Sequence, residues 1–417
     1  MTLALFLSMK LIDTVGEKMS NKAWIGDNKP AGFTSISVGF TQHQDARIHA
    51  EHYGVYQDIN CTEILISQYD NWPVLLDEVF LLGVSDEDCT FTFKFNVVDS
   101  KFSLPKFYRQ LYLLTNGTVK LLSFVKDQQP GVFLISFKCR VRRSSANNGW
   151  SFGLLWDGNN KEHLLAFIES LYKQVNYEGE FEILICGPSI ELDVTDKVRF
   201  VESDEETELL ANISRKKNRL ISAAQYNNIC IVHNRYSLAE DFISSFESIK
   251  NSYDICIIPQ FLLGSNLRVP DWISQASDQK LTANYLLDYG EYSPYQYMAG
   301  GIIIGKKQVL IDNPLNDLAT WNMAEDVEFS QRLINSGYVL RLNSTTKATV
   351  LSIRQEILDD FHKPDLNHFF NNIDQFQVAS QLNASLTRRQ NRVLRAITIL
   401  LEDPKLFLRK IMRKFKV

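Results

Sequence analysis

Between residues 152 and 259, short apolar runs alternate with amphipathic stretches, and this alternation limits the fold more than any other feature of the chain. The pattern predicts strands over Phe152–Leu155, Phe181–Cys186, Lys197–Val201, Ile229–Val232 and Ile255–Pro259. Between them it predicts helices over Lys161–Gln174, Ile213–Ala224 and Leu238–Lys250. Strand and helix at this spacing form βαβ units, which close on a mostly parallel sheet. Ligands of such sheets gather outside the carboxyl ends of the strands, so chemistry is to be sought in the residues that follow each strand.

The flanks read differently. Residues 1–148 carry β-type runs at Ser35–Phe40, Glu63–Ile66, Val79–Leu82, Thr90–Phe95, Val119–Phe124 and Val132–Arg140, with Asn116-Gly117 as a hairpin-type turn. They predict a β-rich, mainly antiparallel accessory domain. A polar stretch at 143–148 serves as linker, residues 149–355 form the α/β domain, and 356–417 form a basic helical tail, broken at Pro404. At 417 residues the chain is long enough for two or three domains. With 45% hydrophobic and 22% charged residues it is neither collagen-like nor mostly disordered. The apolar opening Leu3–Met9 is too short for a membrane span and has no basic region ahead of it, so it is not read as a signal peptide.

Charge is unevenly spread. Residues 378–417 hold ten Lys or Arg and two acids, a net of +8, against −5 for the whole chain. The tail interleaves Leu406, Ile411 and Phe415 with Arg409, Lys410, Arg413 and Lys414, the composition of an interfacial helix on anionic lipid. A helix docked on the acidic body is the alternative. Nucleic acid is not the expected partner, because the chain as a whole is acidic. The six cysteines form no CxxC motif, and Cys230 and Cys256 sit in apolar strand-like runs, as expected of reduced thiols in the cytoplasm.

Two stretches carry a family resemblance. Residues 151–174 (SFGLLWDGNNKEHLLAFIESLYKQ), 181–187 (FEILICG) and 214–235 (SRKKNRLISAAQYNNICIVHNR) resemble the nucleotide-sugar-binding half of GT-A glycosyltransferases, particularly inverting family 2. YMAGGIIIGKKQVL (297–310) and WNMAEDVEFSQRLINSGYVLRL (321–342) resemble the acceptor half of the same enzymes. The resemblance implies a GT-A-like, Rossmann-type mostly parallel sheet, a nucleotide-sugar donor (a UDP-sugar above all) and a glycan acceptor. Through it, Asp157, Asn218 and Arg219 are expected to contact the donor, and Gly300, Gly301 and Trp321 the acceptor.

The DxD slot of that family holds His233-Asn234-Arg235 instead. In the family those carboxylates meet the ribose and a divalent metal, which offsets charge on the leaving diphosphate. Arg235 offers fixed positive charge as a bidentate phosphate donor. His233 suits a ribose, a phosphate or, as neutral imidazole, a metal. A strand end with no ligand is the third reading. His362 is the nearest candidate for the family's late metal-binding His. Metal-independent activity is the expectation, with Mg²⁺ or Mn²⁺ kept as alternatives.

Glu325-Asp326 occupies the family's acidic pair. An inverting transfer needs one carboxylate within reach of the acceptor hydroxyl. The resemblance gives that role to Asp326 and an acceptor contact to Glu325. Taken alone, an acidic pair opening an amphipathic helix is what the helix dipole favours. After a glycine-bearing strand and a tryptophan, in the family's order, it takes the catalytic reading. His43, His49 and His52 are read as a solvated polar segment rather than a metal site.

The expectation is a glycosyltransferase, peripheral at the inner face of the membrane, that builds a cell-surface glycan or lipid-linked saccharide. The alternatives are a non-catalytic glycan- or nucleotide-binding protein on a decayed transferase fold, and a sugar-phosphate or polyol-phosphate transferase. For the N-terminal domain three roles stay open, namely binding glycan, positioning the acceptor and mediating homo-oligomerisation, and its sequence does not choose among them.

Overall fold

The computed structural model describes residues 21–36, 49–85, 87–142, 149–175, 177, 179–192, 196–275, 284–320 and 323–354, with isolated positions at 358, 397, 400, 401 and 404. Apart from those isolated positions the basic tail lies outside the described residues, as do Trp321, His43 and His362. The chain divides into two compact units, Met1–Arg143 and Ser144–Val417. Among the described residues no helix is long and apolar enough to cross a membrane.

The first unit contains β1 (Lys22–Ile25), β2 (Thr34–Ile36), β3 (Asp58–Leu65), α1 (Trp72–Leu81), β4 (Asp88–Asn96), α2 (Leu104–Thr115), β5 (Lys120–Lys126) and β6 (Val132–Arg140). Its sheet runs β2-β1-β3-β4-β6-β5. The sequence Cys89-Thr-Phe-Thr-Phe-Lys-Phe95 alternates with period two, so Cys89, Phe91, Phe93 and Phe95 all turn to one buried face. Phe80 of α1 stacks on Phe91 at 4.3 Å, and Phe107 of α2 lies 5.3 Å from Phe95.

Three expectations for this unit are corrected. The expected strand at 79–82 is instead the end of helix α1, with Leu82 as its C-cap. The apolar run begins at Trp72 with Pro73 in the first turn and buries 72, 75, 76, 79 and 80, a helical spacing that a four-residue window hides. Asn116-Gly117 is no hairpin turn. Asn116 (φ 49°) ends α2 in the left-handed conformation, and the Gly117 amide bonds back to Tyr112 O at 3.0 Å. The sheet is mixed rather than mainly antiparallel, because α1 carries the chain from β3 to its parallel neighbour β4.

The second unit contains β7 (Trp150–Leu155), α3 (Lys161–Tyr172), β8 (Phe181–Cys186), β9 (Val198–Val201), α4 (Glu205–Leu209), α5 (Ile213–Ala223), β10 (Asn228–His233), β11 (Tyr236–Leu238), α6 (Phe242–Ser248), β12 (Ile255–Ile257) and β13 (Gln260–Leu262). It continues with β14 (Trp272–Gln275), β15 (Asn284–Leu286), β16 (Gln296–Met298), β17 (Ile302–Lys306), α7 (Lys307–Asp312), α8 (Glu325–Asn335), β18 (Leu340–Leu342) and β19 (Ala348–Val350). The unit is mixed α/β. Its main sheet has the order β18-β12-β17-β10-β7-β8-β9, and only β17 runs against the rest. Two three-stranded sheets, β11-β19-β13 and β15-β14-β16, complete it.

Central strands β7 and β10 are buried almost throughout, which is why they read as continuous apolar runs. Trp150 of β7 stacks on Phe152 at 5.5 Å and meets Phe242 and Phe246 of α6, each at 5.1 Å. These aromatic contacts fix α6 against the sheet. Strand register then sets what stands at the carboxyl edge. His233 is level with Leu155, and Val232 is opposite Ile302. The chain leaving β7, the chain leaving β10 and the glycines entering β17 therefore meet at one end of the sheet.

Candidate active site

The acidic pair opens α8 through a strained residue. Ala324 sits at φ 57°, a left-handed conformation that costs a non-glycine residue about 1–2 kcal/mol. This turn aims both carboxylates back at the β17 entry. The Gly300 amide donates to Asp326 Oδ2 at 2.8 Å, and the Val327 amide donates to Asp326 Oδ1 at 2.9 Å. A Cβ on Gly300 would lie 2.8 Å from Glu325 Oε1 and 3.0 Å from Asp326 Cβ. At Gly301 it would lie 2.2 Å from the Tyr236 hydroxyl. The glycine pair thus admits the carboxylates and Tyr236 to the backbone.

The two acids have different partners. Lys217 of α5 is fully buried, and its Nζ lies 3.2 Å from Glu325 Oε1 while donating to Gly300 O at 2.9 Å. Asp326 has no such cation at contact distance among the ion pairs of the described residues. Lost hydration raises its carboxyl to about 6, with the Glu325 charge adding to the rise. The Gly300 amide, Lys217 and the Val327 amide hold it from going higher. Asp326 as a residue is half-buried, where Glu325 is buried.

Beside this pair stands the strand-end triplet. His233 N donates to Gly301 O at 3.0 Å, and Arg235 N folds back to His233 O at 2.7 Å. Burial holds the His233 imidazole well below its usual range, and the charges of Lys217 and Arg235 add to this. Its Nε2 is buried without a hydrogen-bond partner, as is Arg235 Nε. The Arg235 guanidinium lies 5.8 Å from the Tyr236 ring centre, and the Tyr236 hydroxyl donates to Gln260 Oε1 at 2.9 Å. Asn234 Nδ2 makes long contacts to Asp157 Oδ1 at 3.5 Å and Asn159 O at 3.4 Å. Both Asp157 oxygens also accept from Asn159, at 3.0 Å from N and 2.7 Å from Nδ2.

The structure therefore brings together Asp157, His233, Asn234, Arg235, Gly300, Gly301, Glu325 and Asp326. Asn218 and Arg219 turn elsewhere. Asn218 holds the 315–317 segment through Leu315 and Asp317 at 2.8–2.9 Å, and Arg219 bonds Glu202 O and Asp204. Sequence reading missed Lys217. A signal was present, since Lys217 lies at i+4 from Ile213 and i−4 from Ile221, on the apolar stripe of α5. A lysine there must find a buried partner.

The histidine cluster is corrected. His49 is buried, with Nδ1 3.2 Å from Glu78 Oε1, and His52 Nδ1 meets the Tyr56 hydroxyl at 2.9 Å. Among the described residues no group of three or more His, Cys, Asp or Glu is placed to hold a metal. At the strand end itself the donor set fits a divalent cation poorly. His233 is the one imidazole, Arg235 and Lys217 are cations acting on it, and the oxygens of Asp157 face Asn159.

No protein-family model matches this sequence, and no curated protein sequence matches it. Among solved structures, the crystal structure of S. aureus TarS 1-349 aligns at 13% identity over 58% of this chain and 68% of that one, with a TM-score of 0.34. The crystal structure of S. aureus TarS aligns at 15% identity over 58% of this chain and 41% of that one, also with a TM-score of 0.34.

Proposed function

We propose that this protein is a glycosyltransferase that moves a sugar from a nucleotide-sugar donor to a saccharide acceptor. One observation carries the reading. The carboxylate of Asp326 stands at the carboxyl edge of a mostly parallel sheet with its proton affinity raised to about 6. A general base works best when its pKa lies near the working pH. In the proposed step the acceptor hydroxyl attacks the anomeric carbon and Asp326 takes its proton. The bond from that carbon to the diphosphate oxygen breaks, and its electron pair leaves with the nucleoside diphosphate. A single displacement of this kind inverts the anomeric centre.

In this reading Glu325 is neutralised by Lys217 and shapes the pocket beside the base. Asp157, Asn234, His233 and Arg235 form the donor side, and Gly300 and Gly301 the floor between donor and acceptor. A growing surface glycan or lipid-linked saccharide is the proposed acceptor. The basic segment 388–417 would bring the enzyme to the anionic inner face of the membrane.

The second reading, a nucleotide- or glycan-binding module without turnover, is favoured by the absence of a carboxylate at both ends of His233-Asn234-Arg235. Incubating the full chain with UDP-, GDP- and CDP-sugars and a panel of saccharide acceptors separates the two. Acceptor-dependent release of nucleoside diphosphate supports the transferase. Saturable nucleotide binding with no release for any donor and acceptor supports the module.

A further inference from the structure

Arg235 is a cation without a matching anion. Among the described residues no carboxylate forms an ion pair with its guanidinium, and its Nε is buried without a partner. Removing a guanidinium N–H from water without replacing its hydrogen bond is costly, and a bound anion would supply the missing acceptor. Two residues earlier, His233 Nε2 is in the same state. The two are tied into one tight turn by the 2.7 Å bond from Arg235 N to His233 O, and Leu351 N holds the other side of the turn at Arg235 O, also at 2.7 Å.

The surrounding charge points the same way. Lys217 and Glu325 neutralise each other at 3.2 Å, and His233 is held as neutral imidazole by burial and by the cations near it. Among the described residues Arg235, at the end of β10, has the Tyr236 side chain beside it and no ion-pair partner. A divalent cation placed here would meet the charges that already act on His233, those of Lys217 and Arg235, with one imidazole to bind it and, at Asp157, a carboxylate whose oxygens accept from Asn159. An anion would meet a planar guanidinium able to bind two of its oxygens at once, with an imidazole N–H beside it.

We infer that Arg235 and His233 form a direct seat for a diphosphate group, which holds it without a bridging divalent metal. The inference rests on the nucleotide-sugar reading above and specifies how that site meets its donor.

The test uses the full chain and inorganic pyrophosphate, which needs no acceptor, base or sugar. Binding is followed by calorimetry in EDTA and again with Mn²⁺. The expected result is saturable binding in EDTA that Mn²⁺ does not tighten. It should weaken about tenfold or more in Arg235→Gln and by less in His233→Ala, while Arg219→Gln, whose guanidinium faces Glu202 and Asp204 instead, keeps wild-type affinity. Three results overturn the seat: binding that appears only with Mn²⁺, Arg235→Gln binding as tightly as wild type, or no saturable binding in either condition. If Arg235→Gln does not fold, Arg235→Lys carries the test. It keeps the charge but loses the fork, so binding a few-fold weaker and still indifferent to EDTA supports the seat, and unchanged affinity overturns it. Failure of the seat and failure of the transferase reading give different results. Metal-dependent glycosyl transfer removes the seat alone. Pyrophosphate binding in EDTA without transfer from any nucleotide sugar leaves the seat and removes the transferase.

Discussion

Lys217 Nζ lies 3.2 Å from Glu325 Oε1, whereas the neighbouring Asp326 accepts from the backbone amides of Gly300 and Val327. Two consecutive carboxylates are thereby pushed apart in character. One is held in a buried ion pair. The other is a carboxylate whose proton affinity is set by lost hydration and by its neighbour's charge. Separation of two acids by environment is how one site comes to hold distinct acid–base roles.

Removing Lys217 leaves the Glu325 charge buried and unpaired. Lys217→Met is expected to lose about 3–5 kcal/mol of stability in urea denaturation. Lys217→Met combined with Glu325→Gln should recover much of that loss, because the stranded charge is gone. Equal losses in the single and double variants would show that the pair is not the source of the cost.

The raised carboxyl of Asp326 has opposite consequences for activity and stability. Activity should fall as the pH drops through about 6, where the base becomes protonated. Stability runs the other way. A carboxyl that titrates near 3.8 when unfolded and about 6 when folded binds more protons in the folded state between those values. That contribution is present below pH 4 and is lost as pH rises through 6. Asp326→Asn loses one of the two amide contacts at every pH, so the readable quantity is the pH dependence: wild type should lose melting temperature relative to Asp326→Asn as pH rises from 4 to 7.5. A difference that stays constant across that range would contradict the raised affinity.

Lys306 gives a second linkage with the opposite sign. Its ammonium is buried, donates to Asn228 Oδ1 at 2.6 Å and lies 4.4 Å from the Tyr253 ring centre; burial lowers it to about 7. Between pH 7 and 10.5 the unfolded chain binds the proton that the folded chain has released, so this group makes stability rise with pH across that window. Lys306→Met should flatten the rise. The check is a set of melting curves for both proteins from pH 7 to 10.

Gly301→Ala drives a methyl to 2.2 Å from the buried Tyr236 hydroxyl at the entry of β17. A loss of about 1–3 kcal/mol is expected from overpacking. Adding Tyr236→Phe removes the nearest atom and should return part of the melting temperature. If Gly301→Ala melts like wild type, the close approach is not a constraint.

How much of this was legible in the sequence follows from the distances involved. The βαβ alternation of 152–259 is local, with period and length visible in short windows, and β7, β8, β9 and β10 fall where the pattern places them. The order of the triplet, the glycine pair and the acidic pair along the chain was also readable. Their meeting was not, because it depends on the antiparallel return of β17 beside β10. The roles within α5 were hidden for a related reason. Asn218 is the residue that the motif suggests, but the helix turns it toward Leu315 and sends Lys217 to the glycine loop. In the first unit, four apolar residues at 79–82 fit strand and helix alike, and only the run from Trp72 onward decides between them.

Asp326 as the base of a glycosyl transfer is tested by measuring, on the same samples, nucleoside diphosphate release and nucleotide affinity for wild type and Asp326→Asn. Wild type should show acceptor-dependent release with an acid limb near pH 6, and Asp326→Asn a loss of about 10²–10⁴-fold with nucleotide affinity nearly unchanged. An Asp326→Asn protein that turns over within a few-fold of wild type would contradict it.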